Sequence, residues 1–435
     1  MQFMHQSLAA LLVAAGVVVV LRAQPAPDTV RLIPAEGEAA KYWPRWRGPS
    51  GQGHVEGTNY TDTWSATQNV KWRVQIPGLG HSSPIVWKDH IFLTTATDDG
   101  ATVSLMAFRR SDGTRLWQTP VPSSGVEHVY WKNSRASATP TTDGERVYAS
   151  FGTHGLAAFD FSGKILWHRQ LGELKNYHGS AGSPVLYKSR GAAAPDRIFL
   201  YQDHDGSATL RSFVAAFDAK TGKTIWWKDR VETVGWGTPI VIQAGDRDEL
   251  VVSSQRRIHA YHPDTGADLW TVRGNMFEVI PTPVVGHGFV FCSSGRAGPT
   301  FAIRPGGSGD VTATHVAWTS PKGSPFVPSG MVHGEYLYLV NDMQSILTVF
   351  EARSGKLAYQ DRLGAPVREG FSASPVAVGN KLFFTNDNGQ TFVVEAGPVF
   401  KLLRVNELGA RVIASPALVD GTWYWRTDRE LLAIQ

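Results

Sequence analysis

The residues best placed to do chemistry stand just upstream of a series of regularly spaced prolines. They are His81, Asn133, Arg135, Tyr177, His178, Trp236, Glu278, Arg368, Glu369 and Arg411. Imidazole, amide, guanidinium and carboxylate groups brought together with aromatic rings would make a concave site with polar anchors. Taken singly, each reads as a solvated loop residue; taken together they read as a ligand-binding set, not as catalytic machinery. No catalytic residue is assigned. The chain has no Gly-x-Ser-x-Gly elbow, and no Gly-x-Gly-x-x-Gly or P-loop opening a helix.

Metal and thiol chemistry have little support. Asp203-His204-Asp205-Gly206 and Asn386-Asp387-Asn388-Gly389 share part of a calcium-loop pattern. Each lies between two strand-like runs and lacks the remaining ligand spacing, so each is read as a hairpin turn, with no metal site expected. Cys292 is the only cysteine. One cysteine excludes an internal disulfide, a cysteine metal cluster and a Cys-x-x-Cys-His haem site. Within Phe289-Val290-Phe291-Cys292-Ser293-Ser294 it reads as a buried structural thiol.

The elements that must position the loop residues follow from a repeat. Pro84, Pro140, Pro184, Pro239, Pro283, Pro375 and Pro416, with a weaker copy at Pro328-Ser329-Gly330, recur every 41 to 56 residues. Each follows or flanks a small residue and opens an apolar run such as Ile85-Val86-Trp87. Two further strand patterns follow, then a Gly turn and a fourth strand carrying an aromatic four residues on: Gly113/Trp117, Gly163/Trp167, Gly222/Trp226, Gly266/Trp270 and Gly355/Tyr359. Gly supplies the φ > 0 residue of a tight hairpin, and the proline sits at a strand start, where its missing N–H breaks no ladder. Four strands per unit with this period describe β-propeller blades. The pattern predicts an all-β, eight-bladed β-propeller of four-stranded antiparallel blades. The eighth unit stops after its third strand, and the strand-like Asn69-Val70-Lys71-Trp72-Arg73-Val74 is expected to complete it, closing the ring around Trp72. Trp72, Trp117, Trp167, Trp226, Trp270, Trp318 and Tyr359 are expected to pack between blades.

The 42 Lys and Arg against 38 Asp and Glu are scattered along the chain, which argues against the basic stripe of a nucleic-acid binder. The apolar run from Leu8 to Leu21 is short for a membrane span. Residues 1–23 are read as a signal peptide cleaved near Ala23, with an uncleaved anchor as the alternative. Residues 24–42, rich in Pro, Ala and Glu, are read as a flexible spacer, and 43–435 as one propeller domain. Export to the periplasm or exterior, without a transmembrane domain in the mature protein, is expected.

The Ala-x-Asp-x-x-Thr-Gly-x-x-x-Trp phrase, clearest at residues 216–226, resembles the pyrroloquinoline-quinone (PQQ) repeat. That family holds PQQ-dependent dehydrogenases and BamB-like envelope propellers that carry no cofactor. Trp43-Pro44-Arg45-Trp46-Arg47-Gly48-Pro49-Ser50-Gly51-Gln52-Gly53, Arg304-Pro305-Gly306-Gly307 with Val316-Ala317-Trp318, and Gly370-Phe371-Ser372-Ala373-Ser374-Pro375 are similar to exported bacterial PQQ-like propellers. The resemblance implies the same fold over residues 43–435. A quinoprotein would add Ca²⁺, a base and typically a vicinal disulfide, which one cysteine cannot form. The expectation is therefore a non-catalytic binding scaffold, with no cofactor, acting as a monomer. Its partner would be an envelope protein, a peptide or a small ligand at the central funnel, with strand edges and loops as the interface. A PQQ/Ca²⁺ oxidoreductase and a carbohydrate-binding propeller are the alternatives.

Overall fold

The computed structural model describes residues 30–435, apart from 58, 123–124, 192–193, 206–208, 232–233, 296–297 and 367–369. The leader at 1–23 and the first residues of the expected spacer lie outside the described residues.

Eight antiparallel sheets succeed one another along the chain. Blade 1 is typical: Ile85–Trp87, His90–Thr97, Thr102–Arg109 and Arg115–Pro120 pair in sequence order from the innermost strand outwards. Blade 8 joins the two ends of the chain. Its inner strands Ala417–Val419, Thr422–Arg426 and Glu430–Ile434 receive Val70–Gln75 as their outer strand, with Trp72 opposite Ala433. This is the eight-bladed ring with the closure expected at Trp72.

The core lies between blades, not within any one of them. One buried cluster combines Ile85, Phe92 and Ala107 of blade 1 with Val147, Ala149 and Phe159 of blade 2. The next combines Tyr148 and Ala158 with Ile198 and Phe217, and so on round the ring. The Gly–Trp repeat locks these contacts. The Trp167 indole N–H donates to the Ala219 carbonyl of the next blade at 3.1 Å. Its ring lies against Gly222, φ +68°, where an added Cβ would meet it at 2.6 Å. Trp72, Trp117, Trp226 and Trp318 donate in the same way to Arg110, Phe161, Pro263 and Ala352. Trp270 and Tyr359 also pack between blades, against Val285 and Val290 of blade 5 and against Phe400 of blade 7, but their polar atoms bond differently. Trp270 donates instead to Glu249 in its own blade at 2.7 Å, because blade 5 has an insertion with Gly309–Asp310 in place of the Gly turn. Tyr359 packs towards Phe400, and its hydroxyl has no hydrogen-bond partner among the described residues.

A second ring runs round the central channel. The residue before each strand-opening proline (before Gly330 in blade 6) carries a hydroxyl that accepts a backbone N–H from its counterpart one blade back. Ser83 N–H donates to Thr139 Oγ1 at 2.9 Å, Thr139 to Ser183 Oγ at 3.0 Å, and Ser183 to Thr238 Oγ1 at 3.2 Å. The series continues through Thr282, Ser329 and Ser374 to Ser415, whose N–H donates to Ser83 Oγ. Eight hydroxyls thus tie eight blades into one belt.

From Val30 on, the expected spacer is built into the molecule. Val30–Leu32 pairs antiparallel with Ile240–Ala244, the innermost strand of blade 4, and both Val30 and Leu32 are buried. Alternating apolar residues in Val-Arg-Leu give that short strand one face to bury. The chain then crosses the propeller face. Trp43 bridges to Val86 of blade 1, the Pro44 carbonyl accepts from Thr142 of blade 2, and Gln52 Oε1 accepts from Val285 N of blade 5. Arg47 donates to the Gly330 carbonyl of blade 6, and His54–Val55 lies parallel to Val376–Val378 of blade 7. These contacts fall on the innermost strands beyond the belt, so this strap covers the face opposite the loops that lead into the belt.

Candidate functional site

The loops entering the innermost strands converge on the other face, around a cavity of about 190 Å³ in the channel. Its floor is the hydroxyl belt, and Trp46, carried by the strap, reaches it from the far side. Its upper wall is aromatic. Tyr130 and His178 meet edge to face with ring centroids 4.7 Å apart, and His178 lies 5.1 Å from Trp236. Local hydrogen bonds fix these rings: Asn133 Nδ2 donates to the His178 carbonyl at 2.7 Å, and the Trp236 indole donates to the Gly179 carbonyl at 2.9 Å.

Four of the ten sequence-derived residues, His81, Asn133, His178 and Trp236, line this cavity. Tyr177 and Glu278 stand at its rim. Glu278 Oε1 lies 3.3 Å from His178 Nε2 and 3.5 Å from the Tyr177 hydroxyl. Two residues go elsewhere. Arg135 turns away between blades 1 and 2, donating to the Glu127 carbonyl at 2.6 Å and packing over Gly100. Arg411 pairs with Asp428 at 3.2 Å. Arg368 and Glu369 lie outside the described residues. The Asp203 and Asn386 turns are hairpin connections in the sheets, with Gly206 outside the described residues.

The electrostatics follow from burial. His81 is held down to about 3 by desolvation, reinforced by Arg426, Arg411 and Lys132, and so stays neutral. Lys132 Nζ lies 3.0 Å from Asp387 Oδ2, and both side chains are close to nine-tenths buried. Burial raises the Asp387 carboxyl, opposed by the Lys132 ammonium and a hydrogen bond from Ser372 at 3.1 Å. Burial likewise pushes the Cys292 thiol far up, in its strand away from the cavity. Among the described residues, no three His, Cys, Asp or Glu side chains cluster as metal ligands.

Sequence reasoning missed Tyr130, Lys132, Phe326, Trp46 and the belt itself. The belt had a signal: seven of the repeat prolines follow Ser or Thr, a pattern read only as "small". Tyr130 and Lys132 sit in the same loop as Asn133. Trp46 had no local signal, since its strap reaches the channel only through contacts with distant blades.

The fold has well-defined relatives. It superimposes on BamB from Moraxella catarrhalis with a TM-score of 0.57 at 14% identity, covering 83% of this chain and 96% of that one. A europium-containing methanol dehydrogenase gives 0.64 at 12% identity, covering 91% and 89%. Quinohemoprotein alcohol dehydrogenase from Comamonas testosteroni gives 0.62 at 13%, covering 91% and 81%. Identities this low establish the fold alone. No curated protein matches the chain. The family model described as outer membrane protein assembly factor BamB matches residues 56–196 and 211–397. Covering most of the chain, that match places this protein in the BamB-like family of PQQ-type propellers.

Proposed function

We propose that this protein is an exported, non-catalytic propeller that binds a polypeptide partner in the cell envelope through the loops around the cavity mouth. The observation that carries this reading is a cluster of exposed apolar side chains there: Trp131 is 70% exposed, Phe277 64%, Met276 48% and Tyr177 41%. Single exposed apolar residues are ordinary, but several on neighbouring loops are the mark of an interaction surface. Their loops touch: Trp131 stacks towards Tyr130, Tyr130 meets His178, and His178 meets Glu278 beside Phe277. Family membership supports an envelope protein partner, and the apolar run at residues 8–21 supports export. No helix among the described residues is long and apolar enough to cross a membrane.

The quinoprotein alternative fits the described side chains poorly. The cavity falls below the ~300 Å³ at which cofactor-sized pockets begin. The two nearby carboxylates, Asp387 and Glu278, already face Lys132 and His178, and Ca²⁺ takes 6–8 oxygen ligands.

The test is site-specific photocrosslinking in intact cells. Crosslinking groups placed at positions 131 and 277 are expected to trap an envelope polypeptide, and one at exposed Leu357 on an outer strand is expected not to. Equal trapping from all three, or none from 131 and 277, would overturn the reading.

A further inference from the structure

The belt hydroxyls have a property that blade closure does not use. Each accepts one backbone N–H, which leaves each oxygen one proton to donate and one lone pair to accept with. All eight residues line the central cavity, so paired donor–acceptor groups face one small space from every side. Two histidines in the same lining add unused capacity. His81 Nε2 and His178 Nδ1 are buried and have no hydrogen-bond partner among the described residues. Buried polar groups left unpaired are costly, and a group in that state points to a missing partner. The rest of the lining is largely aromatic, with Trp46, Tyr130, Trp236 and Phe326, and it adds the Asn133 amide and a Lys132 ammonium already paired with Asp387.

We propose that this cavity binds one sugar ring, or a cyclic polyol of that size. The ligand must both donate and accept at many points, as the belt does, while covering aromatic faces. A ring carrying several hydroxyls does both. A simple anion accepts only; it would meet the belt protons but leave the belt lone pairs and aromatic wall unused. The size agrees: about 190 Å³ is somewhat more than the ~150 Å³ cavity that holds benzene, and too small for a drug-sized molecule. This site lies below the exposed mouth residues and stands whether or not those residues bind a polypeptide.

The test is saturation-transfer NMR and calorimetry on the full-length mature protein with D-glucose, D-galactose, N-acetyl-D-glucosamine and myo-inositol at millimolar concentration. Acetate and citrate serve as anion controls. At least one ring compound is expected to show saturation transfer and measurable heat. His81→Phe, which keeps a ring without nitrogens, and Thr238→Val, which deletes one belt hydroxyl, are each expected to weaken that binding tenfold or more. Thermal melts establish that each variant is folded, and the wild-type titration decides the question if one is not. Binding by none of the four compounds, binding by the anions alone, or undiminished affinity in both folded variants would overturn the proposal.

Discussion

The backbone N–H of Ser415 donates to Oγ of Ser83 at 3.0 Å, across 332 positions of sequence. This bond closes the hydroxyl belt, and it does so inside the ring, while the strand around Trp72 closes blade 8 on the outside. The two closures are independent: one uses a side chain, the other a backbone ladder.

Ser83→Ala is expected to destabilise the protein, because it leaves the buried Ser415 N–H without an acceptor. The cost of such an orphan is about 1–3 kcal/mol. Urea unfolding at neutral pH measures it. Ser83→Thr, which restores the oxygen, is expected to recover most of the loss. A Ser83→Ala midpoint equal to wild type would show that the belt contributes nothing to stability.

Gly222→Ala separates backbone strain from packing. At φ +68° the new Cβ would also meet Trp167 at 2.6 Å, so strain and overpacking add, on the order of 2–4 kcal/mol together. Gly245 has a similar φ of +65° with nothing within 4 Å of its would-be Cβ. Gly245→Ala should therefore carry only the strain, roughly 1 kcal/mol. Parallel thermal melts of the two variants give the difference, and equal losses would mean that the Trp167 contact is soft.

Stability should fall in mild acid. His81 is held down to about 3, and His54 to about 4 by burial and by the nearby Arg47 and His333. In the unfolded chain both titrate near 6.5. Between about pH 6.5 and 4 the unfolded state therefore binds more protons than the folded one, and stability declines as pH falls. At pH 4.5 the loss is on the order of 2–3 kcal/mol for each histidine. Replacing His81 with Gln should flatten part of this slope, as read from urea midpoints at pH 7 and 4.5. A slope unchanged by that substitution would place the acid sensitivity elsewhere.

Trp131→Ser with Phe277→Ser is expected to leave the melting temperature within a degree or two of wild type, since both side chains stand largely in water. The same double variant should lose the envelope crosslink described above when the crosslinking group is moved to position 177. Retention of that crosslink would remove the apolar rim from the binding surface.

The fold was legible because its signals are local. Pro at the strand start, Gly at the turn and Trp four residues later each act within one hairpin, and each recurs. Trp270 kept the pattern and still bonded to Glu249, because its clamp depends on a Gly turn in the following blade that an insertion replaced. The site was legible only in part. His81, Asn133, His178 and Trp236 followed from their place before the repeat prolines, but Arg135, two positions from Asn133, turned the other way in an irregular loop that has no fixed side-chain period. The Lys132–Asp387 pair joins the loop entering blade 2 to blade 7, and no local pattern announces it. The strap was least visible of all. The Pro, Ala and Glu content of residues 24–42 suggested a spacer, yet Val30–Leu32 pairs with blade 4, and residues 43–55, with no strand repeat of their own, reach five further blades.

Blade 8 also sets an order of events during biosynthesis. Gln75 meets Glu430 across 355 positions, so the strand Val70–Gln75 is made early and has no mate until Glu430–Ile434 exists. A nascent chain can build blades 1 to 7, yet it must show an unpaired edge at each side of the open seam. Such edges make unfinished sheets prone to aggregate, the hazard against which chaperones act. The ring therefore marks its own completion: a chain cut short of Glu430–Ile434 stays open at both edges, and a chain that reaches it leaves neither edge of the seam unpaired.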